Sequence, residues 1–176
     1  MGIISASRIG RRVIELLQPF DVEILAWDPI ADGEALAGVT WTTLDDLLRR
    51  SDVVSLHAPA LPETERLIGR RELALIPDGA TLINTARASL VDQDALLDEL
   101  YDERIWAVID VTDPEPLTPG HPLFSAPNLV LTPHVAGSQG NELLRLGDTA
   151  LAEAARYAAG EAFARDIPER AGALLA

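Results

Sequence analysis

The sequence predicts an α/β domain in which helices cover both faces of a doubly wound parallel sheet. Three observations carry that expectation. Short apolar runs rich in Val and Ile alternate with helical patterns along the chain, as repeated βαβ units require. The runs are hydrophobic almost without interruption, which fits strands covered on both faces rather than half-exposed ones. The chain has 176 residues, 48% of them hydrophobic, enough for one globular domain, or slightly more, with a substantial core.

The first expected strand runs from Gly2 to Ser5, and a helix follows from Ile9 to Leu17 with Ile9, Val13, Leu16 and Leu17 on one stripe. Strands are next expected at Val22 to Trp27 and Val53 to His57, with a helical turn between them at Leu44 to Arg49. A Pro-rich loop, Ala58 to Pro62, leads to a second helical turn at Arg70 to Leu75. Then come a strand at Ala80 to Asn84, a helix from Gln93 to Leu100 that faces inward through Ala95, Leu96 and Leu100, and strands at Trp106 to Asp110 and Leu129 to Leu131. A second Pro-rich loop, Asp113 to Pro127, separates the last two. Asn141 to Ala159 is expected to form an Ala/Leu helix stopped by Gly160, and its apolar residues need something to pack on. The domain boundary falls after Gly137, with the helix and tail occupying 138–176.

Charge and composition exclude several classes of function. With 28 acidic and 14 basic side chains the formal net charge is −14, which repels phosphate backbones and anionic lipid, so neither nucleic acid nor a membrane is an expected partner. There is no cysteine, which removes disulfides, thiolate metal sites and Cys nucleophiles and suits the cytoplasm. No signal peptide or membrane span is apparent. No His/Cys/carboxylate set has metal-ligand spacing and there is no G-x-S-x-G elbow, so metal-dependent and serine hydrolysis lack support.

The first strand-to-helix turn reads Ser5-Ala6-Ser7-Arg8-Ile9-Gly10, and Asp28 closes the second strand 18 positions after Gly10. That layout is a Rossmann-type dinucleotide fingerprint with serine at two of its three glycines. Ser is small and its hydroxyl can donate to a phosphate at a helix N-terminus. Asp28 suits a ribose 2′-hydroxyl and repels a 2′-phosphate, which favours NAD over NADP. The same six residues also fit an ordinary turn with Ser as N-cap.

Three polar residues follow strands where open α/β sheets bind ligands. Arg87, in Asn84-Thr85-Ala86-Arg87, has a fork that matches the carboxylate of a keto acid; a surface ion pair is the plainer role. His134, in Pro133-His134-Val135-Ala136-Gly137, and Glu115, in the acidic loop starting at Asp110, can form a proton-transfer pair near neutral pH. A hydrogen-bonded structural histidine is the plainer role there. His57 and His121 are given no catalytic part.

In their order and spacing these segments resemble the cofactor-binding part of D-isomer-specific 2-hydroxyacid dehydrogenases. The resemblance runs through Gly2 to Gly10, Ala26-Trp27-Asp28-Pro29, His57-Ala58-Pro59 to Glu63-Thr64, Asn84 to Arg87 with Leu90-Val91-Asp92, Asp110 to Pro116, and Pro133 to Gly137. It implies an NAD-dependent oxidoreductase that exchanges a hydride with C2 of a small 2-keto or 2-hydroxy acid. Arg87 would grip the substrate, His134 move the proton and Glu115 support His134. Ser7, Arg8, Ile9 and Gly10 would border the pyrophosphate, Asp28 the adenosine ribose, and Pro59 the adenine. Thr85, Ala86 and Asp110 would border the nicotinamide half, with Ala136 and Gly137 continuing the wall beyond His134.

The chain departs from the family at Ser5, Ser7, Ala88 and Thr112. Family members also carry a substrate-binding segment before the first strand, whereas here Met1 stands inside that strand. The apolar face of the last helix and the tail Asp166 to Ala176 are therefore expected to be exposed or covered by a partner chain, most simply in a homodimer. A non-catalytic NAD(H)-binding sensor or interaction domain is the alternative function.

Overall fold

The computed structural model describes residues 1–31 and 36–164. Its seven strands are β1 (Gly2–Ile4), β2 (Ile24–Trp27), β3 (Val39–Trp41), β4 (Val53–Leu56), β5 (Thr81–Asn84), β6 (Trp106–Ile109) and β7 (Leu129–Leu131). All pair in parallel in the order β3-β2-β1-β4-β5-β6-β7. The chain winds outward from β1 to β3, then returns to β4 on the other side of β1. The direction of winding reverses at that point, and the crevice at the carboxyl ends of β1 and β4 is where such sheets bind ligands.

Six strands lie where the sequence places them; β3 was not expected. It is an edge strand that, among the described residues, pairs with β2 alone, Ile24 opposite Val39; Thr40 interrupts its two apolar residues and Thr42 and Thr43 follow them, so no continuous apolar run marks it.

The helices are α1 (Arg8–Leu17), α2 (Leu44–Arg50), α3 (Arg70–Leu73), α4 (Gln93–Tyr101) and α5 (Asn141–Ala159). Side-chain caps start three of them. Ser7 accepts from the Gly10 amide, Thr43 from that of Asp46, and Asp92 from that of Ala95, each satisfying an amide that has no partner within its helix. α3 stops at Leu73, two residues short of expectation. The stripe expected on α1 is corrected: Ile9 and Leu16 are exposed, and the buried face is Gly10 and Ile14 with Val13 and Leu17 at its margin.

Ile14 packs with Ile3 and Ile24 in a small cluster. The main core lies between the sheet and α2, α3 and α4, through Leu47, Leu48, Leu73, Leu96 and Leu100 against Val54, Leu56, Leu82, Ala107 and Ile109. Arg104 ties this layer together, donating to the carbonyls of Leu73 and Ile76 and pairing with Glu99.

The chain forms two compact units, Met1–Pro133 and a second that begins at His134. In the second, α5 has no buried residue, and Leu143, Leu144 and Leu151 are exposed. Gly160 ends the helix at φ 72, the left-handed conformation that suits a C-terminal glycine. The tail Asp166 to Ala176 lies outside the described residues.

Candidate active site

Hydrogen bonds continue the sheet one residue past the ends of β1, β4, β6 and β7, which fixes where the turns along its carboxyl edge begin. The Ser5 amide donates to the Trp27 carbonyl, His57 to Ile4, Asp110 to Asn84, and Thr132 to Ile109.

At the first turn Ser5 has φ 76, the left-handed region that favours glycine. The glycine expected there from the fingerprint thus has a conformational reason. Gly10 has a steric one: a Cβ built on it would overlap the Ser5 carbonyl oxygen and touch the His57 Cβ at 3.4 Å. Close approach of α1 to β1 is the third glycine's role in the fingerprint. Ser7 differs from expectation. Its hydroxyl donates to the His57 carbonyl at 2.8 Å and accepts from the Gly10 amide at 3.3 Å, so it joins α1 to β4 rather than pointing a free donor at a phosphate. The amides of Arg8 and Ile9 remain at the helix N-terminus with no partner inside the helix. Both side chains are exposed.

Asp28 is 8% exposed. One carboxylate oxygen accepts from the Ser5 hydroxyl at 3.0 Å and the Ala6 amide at 2.9 Å; the other accepts from the amides of Ile30 at 2.8 Å and Ala31 at 3.0 Å. Beyond β4, the His57 ring shares a hydrogen bond with the Ser55 hydroxyl at 3.0 Å. Burial holds its pKa down at about 4, so the ring is neutral near pH 7. Pro59 follows, and its carbonyl accepts from the Thr64 hydroxyl at 2.6 Å.

The turn after β5 is built by Asn84, a buried residue that no expected role singles out. Its side-chain amide donates to the Arg87 carbonyl at 2.8 Å and accepts from the Ala86 amide at 3.1 Å. An Asn closing a strand ahead of a polar turn was the available signal. Thr85 and Arg87 are exposed. The Arg87 guanidinium donates to the Ala86 carbonyl at 2.7 Å, and among the described residues no carboxylate pairs with it. Asp110 is buried after β6 and accepts from the Thr132 hydroxyl.

Glu115 lies in a loop fixed by a second unforeseen residue. Gln93, opening α4, donates to the Asp113 carbonyl at 2.7 Å and accepts from the Asp113 amide at 3.1 Å. His121 caps the short helical turn after it, accepting from the Leu123 amide at 3.2 Å. A cleft of about 290 Å3, lined by Glu65, Arg66, Asp92, Asp94 and Asp113 among others, contains none of the candidate residues.

Arg87 and Glu115 thus belong to the first unit, while His134, Ala136 and Gly137 open the second. His134 is exposed and has φ 54. Nothing within 4 Å would meet a Cβ on Gly137.

The residues fit a dinucleotide. Gly10 keeps the first turn narrow, the N-terminus of α1 has amides of the kind that would hold a pyrophosphate, and a carboxylate stands at the end of β2. Among the described residues no group of three or more metal-ligating side chains exists, and no helix is long and apolar enough to cross a membrane.

Comparison with known proteins agrees with this geometry. Residues 1–136 match the family described as D-isomer specific 2-hydroxyacid dehydrogenase, NAD binding domain. A glyoxylate reductase of Aeropyrum pernix is 38% identical over 164 residues, which are 92% of this chain and 49% of that protein. A solved D-isomer specific 2-hydroxyacid dehydrogenase from Lactobacillus delbrueckii ssp. bulgaricus, complexed with NAD, superposes with a TM-score of 0.83 at 32% identity, covering 92% of this chain and 53% of that one. The family member from Xanthobacter autotrophicus Py2, in complex with NADPH, gives a TM-score of 0.83 at 29% identity, covering 98% and 72%. The chain spans about half the length of the Aeropyrum and Lactobacillus relatives. It belongs to the D-isomer-specific 2-hydroxyacid dehydrogenase family, and what it carries is that family's NAD-binding domain.

Proposed function

We propose that the protein acts as an NAD-dependent oxidoreductase on the CH–OH group of a small 2-hydroxy acid, or in reverse on the 2-keto acid. The observation that carries this is Arg87, an exposed guanidinium held at the carboxyl end of β5 by the Asn84 turn and paired with no carboxylate among the described residues. A cation kept free in an acidic protein is poised for an anionic substrate. Relatives named for glyoxylate and hydroxypyruvate reduction favour this function over a non-catalytic NAD(H)-binding module.

Bound along Ser7 to Gly10, Asp28, Pro59, Thr85, Ala86, Asp110, Ala136 and Gly137, NAD supplies hydride chemistry at C2 of the substrate. The chain's own residues do the rest. Arg87 binds the carboxylate and stabilises charge on the C2 oxygen. His134 gives a proton to that oxygen in reduction and removes it in oxidation, with Glu115 as the carboxylate that raises its basicity. Residues 1–137 form the cofactor domain. The segment 138–176 serves the substrate side and the contact with a second copy, for which the exposed leucines of α5 are suited. The cysteine-free composition fits the cytoplasm.

The test is NADH oxidation with glyoxylate or hydroxypyruvate, by this chain and by this chain joined to the part of the Aeropyrum relative that it does not match. Turnover that falls about a hundredfold or more in Arg87→Gln supports the assignment. Absence of turnover from both proteins overturns it.

A further inference from the structure

We propose that Ser5 is an affinity-lowering latch on Asp28: its hydroxyl fills the last acceptor site of that carboxylate, so the adenosine ribose gains Asp28 only by displacing it. The inference rests on the cofactor-domain reading above and goes beyond it, because the family's glycine at this position has no hydroxyl to offer.

An ionised carboxylate has about four lone-pair sites. In Asp28 four donors from the chain occupy them: the Ser5 hydroxyl, and the amides of Ala6, Ile30 and Ala31. The three amides are fixed by the backbone of the turns that follow β1 and β2. The Ser5 hydroxyl is the one donor that can rotate away. Both side chains are buried, Ser5 being 7% and Asp28 8% exposed, so water competes weakly for the bond. A hydrogen bond to a charged acceptor is also stronger than a neutral one.

The latch comes at a conformational cost, since Ser5 holds φ 76. A serine kept where glycine is easier, with its hydroxyl on the cofactor-reading acid, is a means of weakening the site for dinucleotides relative to a glycine loop. Its target is the ribose diol, the group that Asp28 would otherwise read.

Two substitutions separate hydroxyl from backbone. Ser5→Ala removes the hydroxyl and keeps the strained φ; Ser5→Gly removes both. NADH is titrated by calorimetry into the wild type, S5A, S5G, D28N and S5A/D28N, and nicotinamide mononucleotide, which lacks the adenosine ribose, serves as the control probe. Expected are NADH binding about five- to tenfold tighter in S5A, at least as tight in S5G, no gain for the mononucleotide, and no gain from S5A once Asp28 is Asn. Unchanged or weaker NADH binding in S5A, or a gain that persists in D28N, overturns the latch and leaves the cofactor domain standing.

Thermal unfolding of the same set reads the latch without any cofactor. Tm losses from S5A and D28N that do not add in the double variant support the hydrogen bond, and additive losses overturn it. If none of the proteins binds NADH, the cofactor-domain reading fails and the Tm cycle alone decides the latch.

Discussion

Ser7 and His57 are joined across the crevice at the centre of the sheet: the Ser7 hydroxyl donates to the His57 carbonyl at 2.8 Å while accepting from the Gly10 amide. One small side chain therefore caps α1 and fastens it to the end of β4. Ser7→Ala removes both bonds. The expected loss is about 1–2 kcal/mol of stability, measured as a lower urea midpoint at unchanged slope. Ser7→Gly, which is mild where only a cap is lost, should cost nearly as much here, because the tie to His57 goes in either variant.

Among the described glycines, Gly10 has the tightest surroundings. Its missing Cβ would overlap the backbone oxygen of Ser5, and backbone cannot swing aside as a side-chain end can. Gly10→Ala should push α1 from β1 and cost about 1–3 kcal/mol or more. NADH binding should be lost with it, since the displaced amides of Arg8 and Ile9 are those proposed to hold the pyrophosphate. Far-ultraviolet circular dichroism with an NADH titration of the folded variant checks both.

These two residues also show why parts of the site were legible in sequence and others were not. Gly10, Asp28 and Arg87 sit at fixed offsets from strand ends, and a parallel sheet converts those offsets into one carboxyl edge. Ser7 was assigned a phosphate contact because its offset says where it stands but not what its hydroxyl meets; the His57 carbonyl is 50 residues away. Gln93 and Asp113 are likewise 20 residues apart, in segments that only the fold brings together. On α1, periodicity found a helix but chose the wrong stripe, because Ile9 and Leu16 are as apolar as Ile14 and only packing against Ile3 and Ile24 selects among them. β3 was illegible because Thr40 splits its two apolar residues, whereas β7, equally short, is the unbroken run Leu129-Val130-Leu131.

His57 supplies a pH dependence. Burial lowers its pKa from 6.5 to about 4 in the folded protein, so between those values the unfolded chain binds the extra proton. Stability from this group is complete above about pH 6.5 and falls as the pH drops towards 4. The expected loss is about 2 kcal/mol between pH 7 and pH 5. In His57→Gln that contribution disappears, so the wild type should lose more stability than the variant over the interval. Parallel urea titrations at the two pH values would refute this by showing equal losses.

Asn84 and Arg87 make a last pair of predictions with opposite signatures. Arg87 is exposed, and among the described residues its guanidinium bonds only to the carbonyl of its neighbour Ala86; Arg87→Gln should leave stability within about 0.5 kcal/mol of wild type while removing the proposed substrate grip. Asn84 is 1% exposed and holds the turn from within through two hydrogen bonds. Asn84→Ala should cost about 1–3 kcal/mol, because the turn loses the amide that organises it. Asn84→Asp should be worse. One oxygen can still accept from the Ala86 amide, but the other replaces a donor and faces the Arg87 carbonyl oxygen, and the new charge is buried. Unfolding in urea therefore ranks the variants as Arg87→Gln near wild type, then Asn84→Ala, then Asn84→Asp. If Asn84→Asp proved as stable as wild type, the side chain would not be the donor that closes this turn, and the placement of Arg87 would need another cause.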